Sequence, residues 1–164
     1  MAAASSDNKK NIKPSVYHGP HWHGFLYDFT LLQLDVKESW TFRQVFNTRC
    51  KTQPSTWLCE ISFQKISDDG TVCFPVSLKR NDSNNNAVEV RIALRVRDLT
   101  KKHLHVSWTT TKEDIRGGVA IEETIKENVP FSKERSDFNR ALNINLYMYI
   151  LSCHSQPFSG KPRY

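Results

Sequence analysis

Apolar and polar positions alternate with a period of two through most of the chain, which puts successive side chains on opposite faces of a strand. The segment AVEVRIALRVR is the clearest case. Val88, Val90, Ile92, Leu94 and Val96 share one face, and Glu89, Arg91, Ala93, Arg95 and Arg97 share the other. After the polar link DLTKK, HLHVSWT sets Leu104, Val106 and Trp108 against His103, His105 and Ser107, so the two segments predict a hairpin. LNINLYMYIL turns Leu142, Ile144, Leu146, Met148 and Ile150 inward and Asn143, Asn145, Tyr147 and Tyr149 outward. TWLCEISFQKI groups Trp57, Cys59, Ile61 and Phe63 ahead of an SDDG turn, where Asp-Gly tolerates positive φ. TVCFPVSL follows with Val72, Phe74, Val76 and Leu78 together. Pro75 within it cannot donate a ladder hydrogen bond, which predicts an edge or bulged strand. GFLYDFTLLQL is apolar on both faces and reads as a central strand, and WTFRQVF reads as a strand from its aromatic and β-branched content. NDSNNNA and EDIRGG are connections. AIEETIKENVPF is ambiguous, with acids and Lys that suit a short helix stopped by Pro130. The sum is an all-β fold, an antiparallel seven- to eight-stranded β-sandwich. Its expected core includes Trp57, Phe63, Val90, Ile92, Leu94, Val106, Trp108, Leu146 and Met148.

At 164 residues the chain is one domain's worth and can bury a core without disulfides or metal. Residues 1–16 are small, polar and basic and read as a disordered tail. The sandwich runs over 17–153, and 154–164 reads as a flexible C-terminal tail. No apolar run approaches membrane-spanning length, and the N-terminus has no apolar signal-peptide core, so no membrane contact is expected. Four scattered cysteines, Cys50, Cys59, Cys73 and Cys153, show no zinc-knuckle or redox spacing and read as reduced, which favours an intracellular site, cytoplasmic or nuclear.

The net charge is +6, and much of it falls between Lys79 and Lys102, where seven basic residues meet three acidic ones. Such a stretch can attract nucleic acid, anionic lipid or an acidic peptide, or form a solvated strand face. Arg91, Arg95 and Arg97 share a strand face, and the next strand is expected to add His103 and His105 to it. Tyr147 and Tyr149 face outward together as peptide anchors. His18, His21 and His23 in HGPHWHGF could share a metal, but no further ligand flanks them at close spacing before Asp28, so no metal and no cofactor is expected. Paired catalytic carboxylates, a nucleophile elbow and a phosphate-binding Gly loop are all missing from the sequence. Gly117-Gly118 reads as a turn or bulge.

WTFRQVF…TWLCEISFQKI before a turn, CFPVSL, the paired strands over 87–109, RGGVAIEE and ALNINLYMYIL together resemble the MATH (meprin and TRAF homology) domain of BTB-type ubiquitin-ligase adaptors. WHGFLYDFTLLQL and ISFQKISDDGTVCF are also similar to the C-terminal β domain of germ cell-less-type BTB proteins. The resemblance covers about residues 22–151 and is mainly topological. It implies a TRAF/MATH-like sandwich whose shallow aromatic groove binds a short Ser/Thr-rich peptide. The family's Trp-Gly-Phe-like segment near that groove is replaced by Arg116-Gly117-Gly118-Val119, which implies a different peptide preference and puts Arg116 and Val119 among the partner-binding candidates. The chain contains no BTB sequence.

The expected function is therefore non-catalytic: recognition of a peptide or surface patch of a partner protein, acidic in character, as in substrate recruitment to a ubiquitin ligase. The alternative is a basic β module binding nucleic acid. Aromatics are not expected to be interleaved with the basic residues on that face, which counts against that alternative. A metal-dependent enzyme using the histidines is the weakest reading.

Overall fold

A computed structural model describes residues 12–129 and 132–154. Nine strands and two short helices follow one another. They are β1 (Ser15–His18), β2 (Trp22–Leu32), α1 (Leu34–Lys37), β3 (Ser39–Asn47), β4 (Thr56–Gln64), β5 (Thr71–Arg80), β6 (Val88–Arg97), β7 (Leu104–Ile115), β8 (Ala120–Asn128), α2 (Ser132–Arg140) and β9 (Ala141–Leu151). Every strand pairing is antiparallel. Sheet A has the order β1-β2-β9-β6-β7 and sheet B the order β3-β4-β5-β8.

The all-β, two-sheet expectation holds, with nine strands among the described residues where seven or eight were expected. Of the tail expected over 1–16, residues 1–11 lie outside the described residues. Ser15 and Val16 belong to β1, which pairs with the start of β2. The C-terminal tail lies outside them apart from His154.

Alternation sets the core. Val88, Val90, Ile92, Leu94 and Val96 of β6 and Leu142, Ile144, Leu146, Met148 and Ile150 of β9 are all buried. They face Trp57, Cys59, Ile61 and Phe63 of β4 and Val72, Phe74, Val76 and Leu78 of β5. Phe29 stacks on Phe42 across the two sheets, with ring centroids 5.4 Å apart. The core list is upheld with one adjustment: Trp108 lies on the inner face opposite Leu94, but at edge strand β7 it is only partly buried.

Three local readings are revised or resolved, each for an identifiable reason. Pro75 does not mark an edge, because β5 lies between β4 and β8. Instead the β4–β5 ladder stops at the Ile61–Val76 pair, and Pro75, which would be next, stays paired only with Thr124 of β8. The ambiguous segment 120–128 is strand β8. Ile121 and Ile125 are buried four residues apart, a spacing that fits both periods. Between them the inward position is Glu123, which at this edge meets Lys112 at 3.1 Å and Thr110 at 3.0 Å and ties β8 to β7. The helix lies further on, at 132–140, where Phe138 enters the core and the Asn139 side chain accepts the Ile66 N–H at 2.9 Å.

The third correction concerns β7. A register shift between Val96 and Arg97 places two residues of β7 against one of β6. Leu104 therefore comes out exposed. His105 turns inward against Phe138, with ring centroids 5.4 Å apart.

One end of the sandwich is built on a buried cation. Arg80 is fully buried beside the Trp57 ring. Its Nε donates to both Asp82 oxygens, and Nη1 donates to the carbonyls of Asn86 (2.6 Å) and Ile115 (2.8 Å). Asp82 also accepts the Thr56 and Asn84 N–H groups. Burial opposes ionisation of this carboxyl, but the hydrogen bonds from Arg80, Thr56 and Asn84 outweigh it and hold the pKa below the ordinary value. Arg80 and Asp82 thus drop out of the basic stretch as a surface feature. Gly117-Gly118 is the β7–β8 turn, as expected. Gly118 has φ +85°, and a Cβ on Gly117 would sit 2.3 Å from the Asp82 carbonyl oxygen.

Candidate functional site: an arginine–tyrosine face and a histidine–cysteine cluster

Cross-strand register brings together residues that the sequence had offered as two separate sets. On the outer face of sheet A, Arg91 lies opposite Tyr149, Ala93 opposite Tyr147 and Arg95 opposite Asn145. The Arg95 guanidinium sits 5.8 Å from the centre of the Tyr147 ring. Arg97 donates to the Asn145 side-chain oxygen at 2.9 Å, and Arg91 donates to Thr111 at 3.4 Å. Trp22 joins the same face through Gly24, whose missing side chain lets the Trp22 and Tyr149 rings meet edge-to-face at 5.8 Å. Arg91 and Arg95 are exposed; Arg97, Tyr147 and Tyr149 are half-buried. The face is thus basic and aromatic together, which corrects the expectation that aromatics would not be interleaved with the arginines.

The remaining candidates lie elsewhere. His103 lies in the β6–β7 turn, where its N–H donates to Asp98 at 3.3 Å. His105 faces inward, as described above. Arg116 and Val119 lie in the β7–β8 turn at the opposite end from His103. Arg116 pairs with Asp114 at 3.0 Å and donates to the Asn85 carbonyl, while Val119 is exposed. A shallow depression of roughly 600 Å³ on the outer face of sheet B, where the ladder stops at Pro75, is lined by Glu60, Ser77 and Glu122 among others and shares none of the candidates.

A second constellation was missed by sequence spacing. Three segments meet beside the β1–β2 turn. Hairpin register sets His18 opposite His23 on the inner face, with the two Nδ1 atoms 2.6 Å apart. The β3–β4 loop delivers Cys50. The turn after β9 delivers Cys153 and His154, with the Ser152 N–H donating to the His21 carbonyl at 3.2 Å. One ligand atom from each of His23, Cys50, Cys153 and His154 lies within 4.8 Å of the others; the first three residues are buried. His23 Nε2 is 3.0 Å from His154 Nε2, and His154 Nδ1 is 2.6 Å from the Pro20 carbonyl. Burial, with His154 and His18 close by, lowers the His23 pKa. Burial and the neighbouring Cys50 push the Cys153 thiol up to about 12. Of the three histidines considered in the sequence, His18 and His23 come together and His21 is exposed. The sequence signals available were His23 within HGPHWHGF and the adjacent Cys153-His154 pair, which lie far apart along the chain.

No protein-family model matches the sequence, and no curated protein is similar to it in sequence. Among the described residues no helix is long and apolar enough to cross a membrane.

Proposed function

We propose that this domain is a non-catalytic interaction module that holds an acidic peptide or surface patch of a partner protein on the outer face of sheet A. The observation that carries this reading is the register that sets Arg91, Arg95 and Arg97 beside Tyr147, Tyr149 and Trp22. Tyr, Trp and Arg are the side chains that most often dominate binding energy at protein interfaces. Arg forks match carboxylates, and half-buried tyrosines contribute apolar area with little loss of conformational freedom. A TRAF/MATH-type fold and a substrate-recruiting role in a ubiquitin ligase are the finer form of this proposal. They rest on the sequence resemblance.

The interleaving also favours a second reading, single-stranded nucleic acid. There the rings stack on bases and the arginines follow the phosphates.

The test is selection of peptides from a random display library on the wild-type domain, with single-stranded oligonucleotides measured alongside. The proposal expects acidic peptides whose binding survives moderate salt. Oligonucleotide binding that is tighter than any selected peptide, and that falls steeply with log salt, by a slope of about 0.7 per phosphate contacted, would replace it with the second reading. Peptides without acidic residues would also overturn it.

A further inference from the structure

We infer that His23, Cys50, Cys153 and His154 bind one Zn²⁺ ion, which clasps the β1–β2 hairpin, the β3–β4 loop and the C-terminal turn together. The inference goes beyond the docking proposal and does not rest on it. Two thiolates and two imidazoles are a donor set suited to tetrahedral zinc. In such a shell the ligand atoms stand about 3.3–3.8 Å apart, from Zn–N and Zn–S lengths of about 2.1 and 2.3 Å. The four atoms here already lie within 4.8 Å of one another, with the two Nε2 atoms at 3.0 Å.

The surroundings point the same way. The Pro20 carbonyl can only accept a hydrogen bond, so His154 carries its proton on Nδ1 and turns the Nε2 lone pair into the cluster. This is the outer support that metal-bound histidines usually have. His23 presents Nε2 to the cluster and Nδ1 to His18, so His18 is its orienting partner. One sulfur receives a backbone N–H group: Gln53 N–H donates to Cys50 Sγ at 3.4 Å. Four protein ligands close the shell, which marks a structural rather than a catalytic ion. When Zn²⁺ binds, the two thiols release their protons to solvent, the His23 proton moves from Nε2 to Nδ1 and is donated to His18, the His18 proton moves from Nδ1 to Nε2, and no electron is transferred.

Two arrangements compete with the ion. One is a neutral relay in which His18 donates to His23, His23 to His154 and His154 to Pro20, beside two thiols. The other is a Cys50–Cys153 disulfide. Reduced full-length protein should be titrated with Co²⁺, then with Zn²⁺, and its metal content measured. The expected result is one metal ion per chain, thiolate-to-cobalt charge transfer with the strong visible bands of a tetrahedral site, and displacement by Zn²⁺. Chelation should lower Tm by about 5–10 °C. Cys50→Ser and His154→Gln should each abolish the charge-transfer spectrum or weaken Co²⁺ binding at least tenfold, while His21→Ala keeps both. Should the variants fail to fold, the wild-type titration decides alone. Reduced wild-type protein that folds without metal and gives no charge transfer with Co²⁺ would overturn the proposal. So would a freshly isolated chain in which Cys50 and Cys153 are joined to each other.

Discussion

Replacing Asp82 by Ala probes the buried cation on which one end of the sandwich depends. Arg80 is 0% exposed, and its Nη2 already has no partner among the described residues, so its charge is compensated there chiefly by Asp82 and two carbonyls, beside the Trp57 ring. Breaking a buried pair from one side costs about 3–5 kcal/mol, because the remaining charge stays desolvated. The Asp82 side chain is 19% exposed, so water can partly replace it, and the lower end, about 3 kcal/mol, is the expected loss. For a domain of this size that lowers Tm by about 6–12 °C. Urea denaturation of Asp82→Ala, Arg80→Met and the double variant gives the cycle. The double variant should be more stable than Asp82→Ala alone, since it no longer strands a guanidinium in the core. Acid titration adds a signed check. The folded Asp82 carboxyl ionises below its unfolded range, so its stabilisation is complete above the unfolded pKa of about 3.9 and is lost as pH falls through the folded value. Asp82→Asn should therefore flatten the acid limb of the stability curve. A loss under 1 kcal/mol for Asp82→Ala, with an unchanged acid limb, would refute the reasoning.

The Tyr27 hydroxyl is buried and meets no partner among the described residues, so Tyr27→Phe should be neutral or stabilising by up to about 1 kcal/mol; a loss above that in urea melts would reveal a partner. Trp57 is fully buried and donates to Ser55 at 2.8 Å, so Trp57→Ala should cost about 3–5 kcal/mol. Trp108 is partly exposed, and Trp108→Ala should cost clearly less in the same melts; equal losses would contradict the edge placement. Gly118→Ala forces a side chain into φ +85° and should cost about 1–2 kcal/mol, read as a Tm drop of a few degrees.

The parts of the fold visible in the sequence are those where period two is unbroken and burial strict. In β6 and β9 every inward position is apolar, and the parity of Arg91, Arg95, Arg97, Tyr147 and Tyr149 followed directly. Their meeting on one face did not, because it depends on β9 lying beside β6, a register between segments some fifty residues apart. β8 was obscured by Glu123, a charged inward residue whose partners lie in the other sheet. His105 was placed on the wrong face because one extra residue in a bulge reverses parity without leaving a mark in composition. The histidine–cysteine cluster draws on three segments that only the closed sandwich brings together, so spacing along the chain could not connect His23 with Cys50 and the Cys153-His154 pair.

The docking claim is tested most directly by the dissociation constant of a selected acidic peptide for the wild type and two charge-reversal pairs. Arg95→Glu with Arg97→Glu alters the proposed face. Arg43→Glu with Lys79→Glu removes the same charge from the outer face of sheet B. The account predicts at least a tenfold loss, about 1.4 kcal/mol, for the first pair with unchanged circular dichroism, and less than a twofold change for the second. Equal weakening by both pairs, or unaltered binding by a folded Arg95→Glu, Arg97→Glu protein, would contradict it.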